Sequence, residues 1–375
     1  MRILVNALSV TNPSGRHVLL GHLARCAAWA ADRHAFTFLY HDANADLRRD
    51  LGANVAWHRA PALCGQWAGR TAWEWTALRS VIRAQRAEGV FSPAGTAIPI
   101  CPVPQLVFCQ NPWCLTPGLA RTLADRVKAA VQRGAYRSAV RRAALMVFNS
   151  RFMLEAYVRN AGREPRAFLI AHQGVDDATF AAARGDVPRV SGQIVSVSVM
   201  ARHKNVETLL RALVVLRGLG ATGARLKLAG GWPDPAYRRE MESLAGTLGV
   251  RDAVAFLGHV SRDELHRLYG ESMAFALMSR CESFGIPAVE AHAFGTPVVG
   301  AACGAVPEIV GDGGWLLTPD DAQGAAQALF TLLTDATAWQ ACSARARANA
   351  ERFRWNRCAR AMLAAFDRLA SEAAS

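Results

Sequence analysis

The stretch SRCESFGIPAVEAHAFGTPVVG, residues 279–300, decides how this chain is read. One apolar run, AFALM at 274–278, leads into it, and another, PVVG at 297–300, closes it. Gly285 allows a tight backbone turn and Pro287 suits a first helical position. The order is therefore strand, turn, helix (about 286–294), strand. Two carboxylates punctuate it, Glu282 in the turn and Glu290 on the helix. The amides of Phe284, Gly285 and Ile286, with Ser283 just before them, would point out of a helix N-terminus, where anions bind well. A carboxylate accepts hydrogen bonds from two neighbouring hydroxyls, as on a ribose or a hexose. A plainer reading makes Glu290 a solvent-facing helix residue and Glu282 a capping residue, and spacing alone favours it.

The same alternation recurs along the chain. Short apolar runs stand at 2–5, 36–40, 90–91 and 105–109, separated by helix-like segments such as 16–31 and 71–88. The second half is more regular, with strands expected at 194–199, 225–230 and 254–258 and helices at 205–217, 235–248 and 261–271. Ser261 and Glu264 have capping-box spacing. Alternating strands and helices imply parallel sheets with right-handed crossovers, hence doubly wound α/β units. The strand-free stretch AAARGDVPRVSG, 181–192, is the expected linker. The expected domains are 1–185 and 186–352, with a terminal helix at about 353–375 returning to the first. Two such domains facing across a cleft would bind a ligand at the carboxyl ends of their strands.

Composition narrows the class. A chain of 375 residues, 51% hydrophobic and 19% charged, suits a globular enzyme of two domains. No apolar run approaches the roughly 18 residues of a membrane span. The opening MRILVNALSV reads as a buried strand rather than a leader, and a cytoplasmic protein is expected. Nine cysteines with no CxxC argue against a disulfide framework and a zinc cluster. The net charge of +13 suggests an anionic partner, though no basic-aromatic module for nucleic acid is present.

A second loop adds to the first. After the strand 194–199 comes MARHKN, with Arg202 and Lys204 at the head of an amphipathic helix. The macrodipole disfavours cations there by about 0.3–1 kcal/mol each, so an anion should join them. A diphosphate would do so; a solvated basic turn is the alternative. With these residues in place, the second half resembles the nucleotide-sugar domain of the retaining glycosyltransferases of family four, which have the GT-B fold of two Rossmann-like domains. The matching text is SVMARHKN, LAGGW, VAFLGHVSRDELHRLY, ESFGIPAVEAHAFGTPVVG and CGAVPEIVGDGGWLL, over about 195–318. The resemblance implies that Glu290 holds ribose hydroxyls, Glu282 the transferred sugar and Lys204 the diphosphate. His259 and Val260 would lie along the base. More loosely, NPSGRHVLLGHLA corresponds to a first-domain loop in which Gly15 brings amides to the diphosphate. VFNSRFMLEAYV and AHQGVDDATF resemble the end of that domain, and FRWNRCARAMLAAFDRL the terminal helix.

The resemblance thus implies a retaining hexosyltransferase that uses a GDP- or UDP-sugar as donor substrate. A saccharide or lipid-linked acceptor, as in cell-surface polysaccharide or lipopolysaccharide biosynthesis, completes the expectation. There are two departures. Ser198 stands where the family often has a basic residue, and Asn111, in VFCQNPWCL, stands where many members have a histidine. Asn111 can bind a sugar hydroxyl but cannot act as a base, which matters little for same-face attack in which leaving-group stabilisation dominates. No obligatory metal and no resident cofactor are expected. The alternatives are a sugar-nucleotide epimerase, and a non-catalytic sugar-nucleotide-binding protein, to which Ser198 and Asn111 would point. A phosphorylase would need a lysine for pyridoxal phosphate, and neither Lys204 nor Lys227 sits in such a context.

Two further features concern the acceptor side. The segment 121–142 puts Arg126, Arg133, Arg137 and Arg141 on one stripe of a helix, opposed only by Asp125. It reads either as a solvated face or as a contact with an anionic membrane, such as the inner face of the cell membrane. In TAWEWTAL, 71–78, Trp73 and Trp75 cannot share a helix face, so at least one is expected in the core.

Overall fold

In the computed structural model, residues 1–119, 122–185 and 187–374 are described. Arg121, at the head of the expected basic segment, and Asp186, in the expected linker, lie outside the described residues. The chain divides into two units, Met1–Gly174 with Trp355–Ser375, and Val175–Arg354.

The first unit is a seven-stranded sheet of β1 (Arg2–Asn6), β2 (Ala35–Tyr40), β3 (Val55–Arg59), β4 (Gly89–Ser92), β5 (Gln105–Cys109), β6 (Leu145–Phe148) and β7 (Phe168–Ile170). Its helices are α1 (Pro13–Trp29), α2 (Trp67–Thr76), α3 (Leu78–Ala84), α4 (Leu123–Arg142) and α5 (Arg151–Ala161). The second unit opens with α6 (Asp177–Ala182). It then alternates β8 (Val190–Val197), α7 (Val206–Gly218), β9 (Arg225–Ala229), α8 (Pro235–Thr247), β10 (Val254–Gly258), α9 (Arg262–Glu271) and β11 (Ser272–Leu277). It continues with α10 (Ile286–Ala293), β12 (Val298–Ala301), α11 (Val306–Val310), β13 (Gly314–Leu317), α12 (Ala322–Thr334) and α13 (Ala336–Ala350). The terminal α14 (Trp355–Ala374) belongs to the first unit.

Both sheets are parallel and doubly wound, in the orders β3-β2-β1-β4-β5-β6-β7 and β10-β9-β8-β11-β12-β13. Residues of β4, β5 and β6 are buried throughout, as strands covered on both faces must be. That continuity hides β6 in the sequence, because LMVF follows a basic helix directly and shows no alternation. In the second unit β8 and β11 are neighbours. The chain leaves β8 toward β9 and leaves β11 toward β12, so the loops after them open a gap at the carboxyl edge of the sheet. This is the topological switch point at which doubly wound sheets bind ligands.

Three sequence expectations change. The division falls at Gly174–Val175 rather than near residue 185, because α6 is packed into the second unit: Thr179 bonds His266 and Arg262 of α9. The segment 71–88 is not one helix but the end of α2 and α3, broken at Ala77. The capping box at Ser261 is only half made: Ser261 Oγ accepts from the Glu264 amide at 3.1 Å, while the Glu264 carboxylate pairs with Arg267 at 3.7 Å.

Helix α14 completes the first unit's core. Phe366 packs edge-on against Phe36 and Phe91, with centroids 5.3 and 5.4 Å away. Trp355, fully buried, lies against the backbone of Gly21 on α1 and of Gly174; a Cβ at Gly174 would come within 2.4 Å of its ring. The two glycines are therefore a steric requirement of the indole. Gly134, on α4, has open space around its missing Cβ. Gly174→Ala is expected to lose about 1–3 kcal/mol through overpacking. Gly134→Ala is expected to gain about 0.5–1 kcal/mol from helix propensity. Thermal unfolding of the two variants should shift in opposite directions.

Candidate functional site

The loops after β8 and β11 are joined directly. The Arg280 amide donates to the His203 carbonyl at 2.8 Å. Asn205, fully buried with φ 57°, donates from Nδ2 to the carbonyls of Met278 at 3.0 Å and Pro319 at 2.6 Å. Its left-handed backbone, which asparagine tolerates better than most residues, separates the Arg202–Lys204 turn from α7. On the other side, a Cβ at Gly304 would lie 2.2 Å from the Glu282 carbonyl oxygen, which accepts from the Ala305 amide at 2.9 Å. The loop of Glu282 is thus held from two directions.

This bracing brings Lys204 and Glu282 together: Nζ and Oε2 are 2.6 Å apart, and both side chains are largely buried. Arg202 takes the other direction. Its guanidinium pairs with Glu240 at 2.8 Å and Asp234 at 3.5 Å, and lies 4.8 Å from the Tyr237 ring centroid. The anions expected to join the two cations are present within the protein, carboxylates of α8 for Arg202 and Glu282 for Lys204. In the ligand-free chain the Arg202 charge is thus compensated by exposed carboxylates, and that of Lys204 by a sheltered one.

Gly285 has φ 97° and is the N-cap of α10, and among the described residues no side-chain cap hydrogen bond is made there. The capping role considered for Glu282 is therefore not what the structure shows. Ile286 opens α10 and Ser283 is half-buried in the preceding turn. Phe284 is buried, edge-on to Phe353 at 5.7 Å, and anchors the turn from beneath; only its backbone could serve a ligand. His259 and Val260 follow β10, and His259 is exposed with its ring beside Gly231. Gly230, φ 130°, permits the contact of that loop with Ser198, whose carbonyl oxygen would meet a Cβ at 1.8 Å.

Glu290 is not solvent-facing. It is 5% exposed, and both carboxylate oxygens are engaged, Oε2 by the Tyr269 hydroxyl at 2.9 Å and Oε1 by Arg262 at 3.1 Å. Arg262 also reaches the Thr179 hydroxyl at 2.8 Å and Asp176 at 3.4 Å. Burial pushes the Glu290 carboxyl above its ordinary value, while Arg262 and Tyr269 pull it back. Arg262, Tyr269 and Asn205 were not singled out in the sequence. All three lie inside the quoted motifs, but only Asn205 adjoins a candidate site residue, Lys204; Arg262 and Tyr269 stand in a separate motif, 28 and 21 positions before Glu290.

In the first unit, Gly15 does not offer a free amide: its N–H donates to Oδ1 of Asn12, the N-cap of α1, at 2.6 Å. Asn111 is exposed after β5, and its Oδ1 accepts from the Trp113 amide at 3.1 Å. Trp73 is buried and Trp75 exposed, as their spacing requires.

The Glu290 cluster predicts a pH dependence. Because its folded value is raised above the ordinary 4.5, the folded state binds the proton more tightly than the unfolded chain. That contribution is complete below 4.5 and is lost as pH rises through the folded value. Removing Arg262 takes away the opposing cation. Arg262→Ala should cost about 1–3 kcal/mol at pH 8, and less at pH 5. The thermal midpoint should fall more at the higher pH, and adding Glu290→Gln should remove the difference. Equal losses at both pH values would exclude this account.

Residues 185–350 match the family described as glycosyl transferases group 1. A D-inositol 3-phosphate glycosyltransferase of Mycolicibacterium smegmatis is 34% identical over 214 residues, 54% of this chain and 48% of that protein. The O-antigen chain mannosyltransferase B of Escherichia coli is 31% identical over 170 residues, 44% of this chain and 43% of that one. These matches span about half or less of those relatives. Among solved structures, a sucrose-phosphate synthase from Thermosynechococcus elongatus superposes with TM-score 0.78 at 19% identity, covering 99% of this chain and 100% of that one. Anabaena HepE in complex with UDP and glucose gives 0.73 at 20% identity, covering 98% and 99%. Residues 185–350 thus resemble the group 1 glycosyl transferases, and the chain has the GT-B fold.

Proposed function

We propose that this chain is a retaining hexosyltransferase that takes a nucleoside diphosphate sugar as donor. The observation that carries the reading is the Lys204–Glu282 pair at the switch point of the second sheet, beside the uncapped N-terminus of α10. An ammonium ion beside a helix N-terminus suits a diphosphate, and a carboxylate suits sugar hydroxyls. In the ligand-free chain these two groups satisfy each other. A donor exchanges that pairing for two better-matched contacts: the diphosphate takes Lys204, and the released Glu282 carboxylate accepts from the hexose hydroxyls. The acceptor oxygen then bonds to the anomeric carbon on the face from which the diphosphate departs. The carbon–oxygen bond to the diphosphate breaks, and the acceptor proton passes to the departing phosphate. Lys204 and the α10 amides neutralise the charge that develops on the leaving group.

The same assignment gives Glu290 the ribose hydroxyls, with Tyr269 fixing one oxygen and Arg262 yielding the other. Asn111 hydrogen-bonds a sugar hydroxyl through its remaining amide protons. The donor is a UDP- or GDP-sugar, consistent with the UDP named for Anabaena HepE and with a mannosyltransferase among the relatives. The setting is cell-surface polysaccharide or lipopolysaccharide biosynthesis at the cytoplasmic side, on a saccharide or lipid-linked acceptor. No metal enters the assignment.

Titration calorimetry and donor hydrolysis over a panel of UDP-, GDP- and ADP-sugars test this reading. Lys204→Ala should weaken the preferred donor by about 10–150-fold, the loss of a charge-assisted bond worth about 1.5–3 kcal/mol. Arg202→Ala should change it by less than roughly threefold, since Arg202 is already compensated by exposed partners. Glu282→Gln should reduce turnover by about a hundredfold or more. It should still bind the sugar-free nucleoside diphosphate at least as well as the parent, because Lys204 is released. Undiminished turnover in Glu282→Gln, or activity abolished by EDTA and restored by manganese, would overturn the assignment.

A further inference from the structure

Helix α4 presents a face that the glycosyl-transfer reading does not use. Leu123, Val127 and Val131 recur every fourth residue and are 78%, 58% and 55% exposed. At 100° per residue they lie within an arc of about 80°. Arg126, Arg137 and Arg141 occupy the adjoining arc of roughly 60° on the same side. Among the described residues, none of these three guanidiniums has a hydrogen-bond, ion-pair or ring partner. Arg133, the fourth arginine of the stripe, differs: it donates to the Cys114 carbonyl at 3.1 Å and is spent within the unit. The opposite side of the helix, carrying Ala129, Tyr136, Ala139 and Val140, is buried. The acidic residue of the helix, Asp125, is engaged in a capping box with Thr122. At the far end of the helix, Arg142 bonds the Pro99 carbonyl and so holds beside it the loop of Ile100, which is half exposed.

A merely solvated face would not place three aliphatic side chains in register beside unpaired arginines. We propose that this face of α4 rests on an anionic bilayer, its aliphatic strip entering the interfacial layer and its arginines meeting lipid phosphates. The argument for lipid is charge complementarity together with shape. The arginines face no carboxylate on the helix, and a strip of leucine and valine is what an interfacial helix buries while charge holds it down. No helix among the described residues is long and apolar enough to cross a membrane, so the contact is one of surface docking. It stands independently of the donor assignment.

Co-sedimentation of the full chain with vesicles tests it. The parent should bind vesicles of phosphatidylcholine with 30% phosphatidylglycerol at low salt, and phosphatidylcholine vesicles at least tenfold less well. Arg126→Glu/Arg137→Glu/Arg141→Glu should reduce binding at least tenfold. Val127→Ser/Val131→Ser should lose the fraction that survives high salt. Both variants should keep the parent's circular dichroism and thermal midpoint. Absence of binding to the anionic vesicles at low salt overturns the proposal, as does unchanged binding by the arginine variant. Concentration-dependent dimerisation that the valine variant abolishes, without vesicle binding by the parent, would assign the face to a second copy instead.

Discussion

The site depends on one constraint: a lysine and a glutamate, 78 positions apart, are held 2.6 Å apart at the edge of a parallel sheet. Their loops follow adjacent strands that send the chain in opposite directions, and that divergence opens the space around them. Asn205 and Gly304 then fix the loops by backbone contact, at a distance no flexible surface pair would keep. An ion pair this sheltered is costly to leave half-made, so either member removed leaves a charge needing a partner. A ligand that supplies both an anion and hydroxyls meets that need without a net loss of pairing.

The same logic runs through the second unit. Cations near the site are each tied to a carboxylate: Arg202 to Glu240, Arg262 to Glu290, Arg280 to Asp320, as Lys204 is to Glu282. They differ in shelter. Arg202 and Arg280 pair with exposed acids, which contribute little and bind loosely. Glu290 and Glu282 are shielded, so their pairings carry more weight in stability and in ligand exchange. In the first unit the corresponding fixed point is apolar, Trp355 wedged against Gly21 and Gly174 with Phe366 behind it. The chain's last helix thereby finishes a core begun by its first strand.

Much of the second unit was legible, because its strands are short, apolar and separated by well-marked helices. The turn at Gly285 and the start of α10 at Ile286 were readable for the same reason, since glycine at positive φ and proline in the first helical turn are local signals. In the first unit β3, β6 and β7 escaped notice, having neither alternation nor turn residues that set them apart. The boundary was misplaced because the composition of 181–192 marks a loop, whereas membership of α6 is decided by hydrogen bonds from Thr179 to α9.

The sequence by itself determined the alternating α/β class, the two-unit organisation and the glycine and proline punctuation around Glu282. These follow from local conformational preference and hydrophobic periodicity, which act over a few residues. Only the tertiary structure decided what each charge does. It sent Arg202 to α8, turned the Gly15 amide to Asn12, buried Glu290 against Tyr269 and Arg262, and aligned unpaired arginines with exposed valines on α4. A charge acts on whatever lies within a few ångströms, and at that range neighbours are set by how strands and helices pack, not by their order in the chain.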